Sequence, residues 1–475
     1  MVTPYRPSMT DVTTRPNQES TAFETRPRPS RAPRRVARAP RPRLANALAL
    51  IAGVGLGISV GLAFIGQSIA SFESAGGWFT FAGRLTGLSG TYLLIIMVLL
   101  VTRLPWLEET VGQVRLVHWH RTLGGWPIAI IALHVVFITL GYAEASHVSV
   151  LSEFWTFLMH YPDMLTATVA FVLLVVAGVS SIPAVRRLMK YQTWWAVHLY
   201  LYLALVLAFA HEIKTGVMFI GHPLTLDFWI ALSAGALGAV LAIRFLRPLA
   251  RNLRHQLRIT SVREEAPGVY SLVIKGRNMQ RFEVAGGQFF QWRFMARGLW
   301  WHSHPYSLSA MPRPPFIRVT VKRLGMQSLA ATRLKPGTRV FVEGPYGVFT
   351  RHARRDGRVV LIGAGVGISP IRALLEDLPE RTDVTVILRA SKVEDLVHRQ
   401  EMTQLVSERG GQLHEIVGSR KKVHLDGNTL RKLVGNVSNT DIYVCGPAGF
   451  STNITESLTR LGARHDRIHQ EAFAF

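Results

Sequence analysis

From Leu44 to Phe72 the chain carries no charged residue, and the same is true of residues 85–102, 122–143, 164–185, 191–211 and 228–243. A helix needs about 20 apolar residues to cross a bilayer. The first five runs are long enough. The sixth has 16 residues and can be extended by its neighbours in 215–227, where Asp227 is the only charge. Charged groups in hydrocarbon cost several kcal/mol each. So much charge-free sequence therefore predicts six transmembrane helices, not the core helices of a water-soluble protein.

The charges that remain are placed unevenly. Segments 1–43, 103–121, 183–193 and 244–258 together hold 21 Lys and Arg, whereas the alternate loops hold only Arg84 and Lys214. A basic excess marks the cytoplasmic side, so both termini, and everything after about residue 250, are expected there in a multi-pass cell-membrane protein. The net charge of +24 invites a nucleic-acid reading. Half of it lies in residues 1–258 and is mainly a topology signal, and part of the rest can meet nucleotide phosphates, so no nucleic-acid partner is expected. Residues 1–43 are rich in Pro, Arg, Ser and Thr and poor in aliphatic side chains. Such a segment cannot bury enough apolar surface to offset its ordering entropy, and is expected to be a disordered basic cytoplasmic tail. Its Arg26–Arg43 stretch serves as a topology signal or contacts anionic lipid headgroups.

Cys445 is the one cysteine. This excludes an internal disulfide, a four-cysteine iron–sulfur cluster and a cysteine-based zinc site. Any redox centre must be held by other residues. Ionisable side chains within spans mark function, and the third run holds His134, with His118 and His120 just before it, while the fifth holds His198 and ends at His211. At 100° per residue, His120 and His134 return to within about 40° of one face, about 21 Å apart along the axis. His118 points nearly the opposite way from His134. His198 and His211 are about 20 Å apart but miss alignment by about 140°. Helices three and five run in the same direction, so His120 can face His198 at one depth and His134 can face His211 at another. Imidazole ligates haem iron, although any one of these residues could equally be a satisfied packing group.

Beyond residue 255 the period changes. Val269–Ile274 and Ile317–Val321 read as strands of a small antiparallel barrel. His304-Pro305-Tyr306-Ser307 puts an aromatic ring and a hydroxyl side by side. Lys322 to Ser328 brings Gly325 and Ser328 to an apparent helix at Leu329–Leu334, as a phosphate cradle or an ordinary cap. The strand Val359–Ile362 then runs into Gly363, Gly365, Gly367 and Ser369 and a helix at Ile371–Leu378. Amides at such a turn suit a pyrophosphate. The third glycine comes one residue earlier than in the usual G-x-G-x-x-G. Strands at Val384–Leu388 and Ile442–Val444 suggest a parallel sheet, with Cys445-Gly446-Pro447 at a carboxyl end, where such sheets bind ligands. A buried apolar role for Cys445 is the alternative.

Together these residues resemble the ferric reductase-like transmembrane family, which includes NADPH oxidases and ferric-chelate reductases, over roughly residues 45–475. His120-Arg121-Thr122-Leu123-Gly124 with His134, and His198 with His211 thirteen residues on, are similar to its membrane motifs. His304–Ser309, Gly363–Pro370, Cys445-Gly446-Pro447 and Glu471-Ala472-Phe473 resemble a ferredoxin–NADP reductase module. The resemblance implies a multidomain fold: a six-helix transmembrane haem-binding bundle (44–250), an antiparallel FAD-binding β-barrel (251–353) and an α/β parallel-sheet NAD(P)-binding domain (354–475). It also implies two haem b groups on His120/His198 and His134/His211. Tyr306 would pack on the flavin and Ser307 would hydrogen-bond near its reactive nitrogen. Gly325 and Ser328 would hold the FAD diphosphate, and Cys445 would lie near the nicotinamide. His304 stands where many relatives have Arg, which puts pyrophosphate pairing by this residue in doubt. Phe473 or Phe475 would cover the flavin. Ser419 and Arg420 resemble the element that grips the 2′-phosphate, and Arg389 and Lys392 add charge, so NADPH is favoured, with NADH possible.

The implied activity carries electrons from NADPH through FAD and haem to an acceptor across the membrane. Animal NADPH oxidases place a His one turn after the outer ligand, where this chain has Ile138. That favours a ferric chelate over oxygen as acceptor, and leaves the oxidase as an alternative. Arg84 remains as a cation near the outer haem, and His147, His160 and His222 are outer residues able to touch a metal chelate. A reading of another class is a six-helix transporter with a nucleotide-sensing domain.

Overall fold

The computed structural model describes residues 42–473 apart from 356, 420–422 and 424. The basic tail therefore lies outside the described residues. The chain divides into two compact units that part between Leu246 and Arg247.

The first unit is helical. Its principal helices are α1 (Pro42–Leu62), α2 (Gly77–Val101), α3 (Gln113–Leu123), α4 (Gly125–Ala145), α5 (Val150–His160), α6 (Met164–Ser181), α7 (Tyr191–Thr215) and α8 (Pro223–Val240). Among the described residues, six helical segments are long and apolar enough to cross a membrane, α3 and α4 together forming one of them, Arg115–Ala145. Their outer faces are apolar and open. On α6, Leu165, Val169, Val172, Val176 and Val179 are all exposed, and the 4-3-4-3 spacing puts them on one stripe. Water would penalise such a stripe and lipid does not. The chain is a multi-pass membrane protein.

Close packing inside the bundle depends on glycines in α2. A Cβ at Gly83 would meet Ile138, one at Gly87 would meet the His134 ring and one at Gly90 would meet Ile131, each at 2.6–2.7 Å. Residues 83, 87 and 90 share one helix face, so α2 offers α4 a smooth groove, as small residues do where membrane helices touch.

The second unit begins with α9 (Arg247–His255). Two three-stranded antiparallel sheets follow, ordered β1-β2-β5 and β4-β3-β6. The strands are β1 (Arg258–Ala266), β2 (Val269–Lys275), β3 (Phe289–Phe294), β4 (His304–Ser307), β5 (Phe316–Lys322) and β6 (Val340–Tyr346). Isolated bridges from Arg258 to Arg339 and from Leu308 to Val319 join the two sheets into a barrel around Leu272, Phe290, Trp292, Phe294 and Val319. α9 docks on it through Asn252, whose side-chain amide donates to the Val342 carbonyl and whose side-chain oxygen accepts from the Val342 amide, at 2.9 and 2.8 Å.

A five-stranded parallel sheet completes the unit, ordered β11-β10-β7-β8-β9. Its strands are β7 (Val359–Ala364), β8 (Val384–Ala390), β9 (Gln412–Val417), β10 (Asp441–Pro447) and β11 (Ile468–Phe473). Val359 and Leu361 enter one core and Val360 and Ile362 the other, as in a sheet with helices on both faces. The flanking helices are α11 (Ile368–Asp377), α12 (Arg399–Ser407), α13 (Gly427–Val434) and α14 (Ala448–Arg460).

Buried charges tie barrel to sheet. Arg318 on β5 grips Glu401 of α12 with two bonds of 2.7 and 2.8 Å. Glu376 of α11 accepts from Arg372, from Arg313 and from the Met311 amide. Despite its burial, the Glu401 carboxyl is held well below the usual range by His398, Arg318 and Arg372.

The helix expected at Leu329–Leu334 begins earlier, as α10 (Met326–Ala331) with Gly325 at its N-cap. The Ser328 hydroxyl accepts from the Leu324 and Gly325 amides at 2.8 and 3.0 Å, so it caps from inside the first turn. α11 likewise starts at Ile368, three residues before the expected start, because Pro370 in a first turn loses no bond that the helix needs.

Candidate functional site

The four membrane histidines come together in pairs at two levels. His120 and His198 have ring centroids 6.0 Å apart, with planes at 81°. A metal ion held between the two rings by bonds of about 2 Å each would span a separation of this size. His134 and His211 line one cavity of about 440 Å³, together with Arg84, Gly87, Ile138 and Glu212. That volume lies within the range of cofactor pockets, about 300–1,000 Å³.

All four rings share one hydrogen-bonding arrangement. His134 Nδ1 lies 2.7 Å from the Gly83 carbonyl and His120 Nδ1 lies 3.0 Å from the Met97 carbonyl. A carbonyl only accepts, so both nitrogens donate. His198 Nδ1 meets the Ser181 hydroxyl at 3.2 Å, and that hydroxyl spends its own proton on the Ala177 carbonyl. His211 Nδ1 meets the Thr215 hydroxyl at 3.3 Å, which donates to the His211 carbonyl. With Nδ1 protonated in each case, every Nε2 keeps its lone pair, as metal-bound histidines require. The donor set fits haem iron.

α7 runs unbroken past both of its histidines, so the rotational mismatch read from the sequence stands; the His198 ring meets Ser181 of α6 and the His211 ring meets Thr215 one turn further along α7. Sequence reasoning missed Glu212. It accepts from Thr91 at 3.0 Å and from the Trp229 indole at 2.8 Å. The available signal was an acidic residue beside His211 in an apolar helix. No three His, Cys, Asp or Glu side chains converge as a metal site among the described residues, so His147, His160 and His222 do not form one.

In the barrel, β4 pairs with β3, Phe290 lying opposite Tyr306 and Phe289 opposite Ser307. The Trp292 indole donates to the Tyr306 carbonyl at 2.8 Å and fixes the strand. The rings of His304 and Tyr306 stack 5.8 Å apart at 10°. Burial, then the neighbouring His302, pushes the His304 pKa down to about 4. At pH 7 it therefore brings no positive charge of its own to this strand. Burial lifts the Tyr306 pKa to about 12, so that phenol stays protonated. Ser307 Oγ and His304 Nε2 are buried without a hydrogen-bond partner. Such orphans cost about 1–3 kcal/mol each and point to a missing polar partner. Pro305, within β4, and Lys322, at the end of β5, are exposed.

At the parallel sheet, Gly365 has φ +57°, and a Cβ at Gly367 would lie 2.4 Å from the Cys445 carbonyl oxygen. The early third glycine thus lets the turn cross the end of β10, where Gly446 and Pro447 follow. Ser369 Oγ is buried and unpartnered there. Cys445 is buried, and burial, then Glu471, raises its thiol pKa well above the usual value. Glu471 lies opposite Cys445 in register. Its carboxyl is pushed up to about 8 by burial, and its Oε2 has no partner.

Two expectations change here. Arg389 does not present its charge: it is buried, and its guanidinium donates to the carbonyls of Ala390, Ile416 and Val423, because a buried cation must be hydrogen-bonded. Ser328 spends its hydroxyl on its own turn, as described above. Ser419 is exposed. Arg420 and Phe475 lie outside the described residues. Phe473 ends β11 opposite Pro447.

Comparison with known proteins agrees with this division. Residues 86–209 match the family model described as ferric reductase like transmembrane component, and residues 361–456 match the oxidoreductase NAD-binding domain. Among curated relatives, a flavohemoprotein of Chromobacterium violaceum is 30% identical over 205 residues, 38% of this chain and 50% of the relative. An NADPH oxidoreductase of Mycobacterium tuberculosis is 29% identical over 237 residues, 47% of this chain and 61% of the relative. The chain spans about half the length of the curated relatives it matches. Among solved structures, the flavohem-like FAD/NAD binding domain of a Vibrio cholerae nitric oxide dioxygenase aligns with a TM-score of 0.39 at 23% identity, covering 46% of this chain and 98% of that one. The multi-pass helical unit holds the first match and the parallel sheet the second, which places the chain among oxidoreductases. In particular, this chain carries a ferric reductase-like transmembrane component and an oxidoreductase NAD-binding domain.

Proposed function

We propose that the protein moves electrons from cytoplasmic NADPH across the cell membrane to an acceptor on the far side, a ferric chelate being favoured. The observation that carries this reading is the shared arrangement of His120, His134, His198 and His211, each with Nδ1 held by oxygen and Nε2 free. It supports two stacked haem sites, at His120/His198 and His134/His211. When bound, flavin converts a two-electron hydride into single electrons and haem iron relays them.

The chain's own groups supply position and polarity. Tyr306 offers a ring face to the flavin, and Ser307 Oγ offers a hydrogen bond that no protein group takes. The amides that follow Gly325 receive the diphosphate. The turn at Gly363, Gly365 and Gly367 receives the nicotinamide pyrophosphate, with Ser369 beside it. Cys445 and Glu471, side by side on β10 and β11, would lie under the nicotinamide and give it an uncharged, largely apolar support. Ser419 and Arg420 favour NADPH over NADH. The basic loops support cytoplasmic termini. Ile138 leaves the outer cavity without the extra imidazole of animal oxidases, which favours the chelate over oxygen.

The test is anaerobic NADPH oxidation by the reconstituted holoprotein, with and without ferric chelate. Rapid turnover only with iron supports the reading. Superoxide formed in air, with no anaerobic iron reduction, makes oxygen the acceptor. Absence of bis-imidazole bands from a reduced-minus-oxidised spectrum would overturn the electron-wire reading.

A further inference from the structure

We propose that α5 is an interfacial helix whose apolar outer stripe is seated in the headgroup–acyl boundary of the bilayer, and that it thereby acts as a lipid-held cover on the cavity of His134 and His211.

Three observations carry the inference. First, α5 has two opposed faces. Leu151, Trp155 and Met159 are 79%, 59% and 56% exposed, and their spacing of four residues keeps them within about 80° of arc. Glu153 and Phe157 on the opposite side are buried. Large apolar groups grouped on one open stripe mark a contact surface.

Second, chain connectivity says what meets the stripe. α5 is joined to the ends of two spanning helices by residues 146–149 and 161–163 alone. It packs on the last turn of α4: the Phe157 and Tyr161 rings lie 5.3 and 6.1 Å from the ring of Tyr142 and 5.2 Å from each other. The Val148 amide donates to the Ala143 carbonyl at 3.0 Å, which holds the connecting turn against the span. α5 therefore lies at the depth where α4 leaves the hydrocarbon. That zone suits Trp, whose ring is apolar at one end and polar at the other, and amphipathic helices lie in its plane. Membrane lipid is the occupant that the connectivity places there.

Third, the inner face of α5 belongs to the cavity. Phe154, Phe157 and Tyr161 line it together with His134 and His211. A helix held by lipid on one side and lining the cavity on the other governs how an acceptor reaches that cavity. The last step rests on the proposed electron-transfer reading, whereas the lipid contact does not.

The experiment uses the full-length holoprotein in lipid nanodiscs, with an environment-sensitive fluorophore attached at Trp155→Cys. The native Cys445 is buried and leaves a quiet background. The expected result is blue-shifted emission, quenched at least threefold more by lipid carrying a spin label high on the acyl chain than by aqueous iodide. Water-like emission with dominant iodide quenching would overturn the proposal. So would a disulfide between two copies within one disc, which would make the stripe a protein interface. Leu151→Cys repeats the measurement if the first variant fails to fold. The fluorescence needs no turnover, so it stands or falls separately from the acceptor assay.

Discussion

Replacing Gly87 by alanine puts a methyl group where a histidine ring now lies. An ideal Cβ at this position would be 2.6 Å from His134 Nδ1 and 2.9 Å from Cε1. Uncrowded heavy-atom contacts need about 3.5 Å, so the ring must retreat by roughly 1 Å. Nδ1 now lies 2.7 Å from the Gly83 carbonyl, and such a retreat carries it past about 3.5 Å, beyond hydrogen-bond reach. The lost bond costs about 1 kcal/mol and overpacking adds about 1–3 kcal/mol. Loss of an outer-shell partner weakens metal binding about 10–100-fold. Gly87→Ala should therefore purify with its FAD intact and its haem-to-FAD ratio lowered from two toward one, as read from pyridine haemochrome and flavin absorbance. Gly53→Ala is the matched control, because no atom lies within 4 Å of its added Cβ. Two full haem equivalents with an unchanged spectrum in Gly87→Ala would refute the argument that α2 sets the His134 ring.

Three further outcomes are expected. Ser307→Ala removes a buried orphan hydroxyl, so the cofactor-free protein should be as stable as the parent or more so, while stopped-flow flavin reduction by NADPH slows at least tenfold. Because the Glu471 pKa is raised in the fold to about 8, its contribution to stability is complete below the unfolded value and is lost as pH rises through about 8; the thermal midpoint should fall between about pH 5 and 8, and Glu471→Gln should flatten that slope. Arg318→Met removes two bonds to Glu401, which keeps Arg372 at 2.8 Å; a charge-assisted bond contributes about 1.5–3 kcal/mol, so the midpoint for FAD release should fall by several degrees, whereas Arg318→Lys, which keeps the charge, should lose less.

The membrane half was legible because hydrocarbon imposes a rule that sequence displays directly, the exclusion of charge over a span's length. Depth was legible too, since rise per residue is fixed. His120 could thus be matched to His198 and His134 to His211 without coordinates. What the sequence did not disclose was the choice of neighbour. Ser181 holds His198 from another helix through a hydroxyl whose proton is already committed, and nothing local marks it, whereas Thr215 sits one turn after His211 on the same helix and was open to an i, i+4 reading. Glu212 was visible as a letter and hidden as a role, because Thr91 and Trp229, its partners, come from two other helices. In the reductase half the strands and the glycine turn were legible from alternation and punctuation. Arg389 misled because a cation at the end of a strand reads the same whether it faces solvent or, as here, its neighbours' carbonyls. The start of α10 misled because Ser328 satisfies amides before it, which a serine at an N-cap does in the other direction.

α2 contributes no imidazole, yet it holds two of the four. It does so through the carbonyl oxygens of Gly83 and Met97, groups that every residue type possesses. No side-chain replacement deletes them, so a substitution scan along α2 records only steric fit and passes over the acceptors themselves. Their strength can be changed only in the backbone, for instance by an amide-to-ester exchange at the linkage after residue 83, which weakens that carbonyl while every side chain stays as it is. The setting of two of the four imidazoles is in this sense written in the main chain of a helix that no inventory of ligands would include.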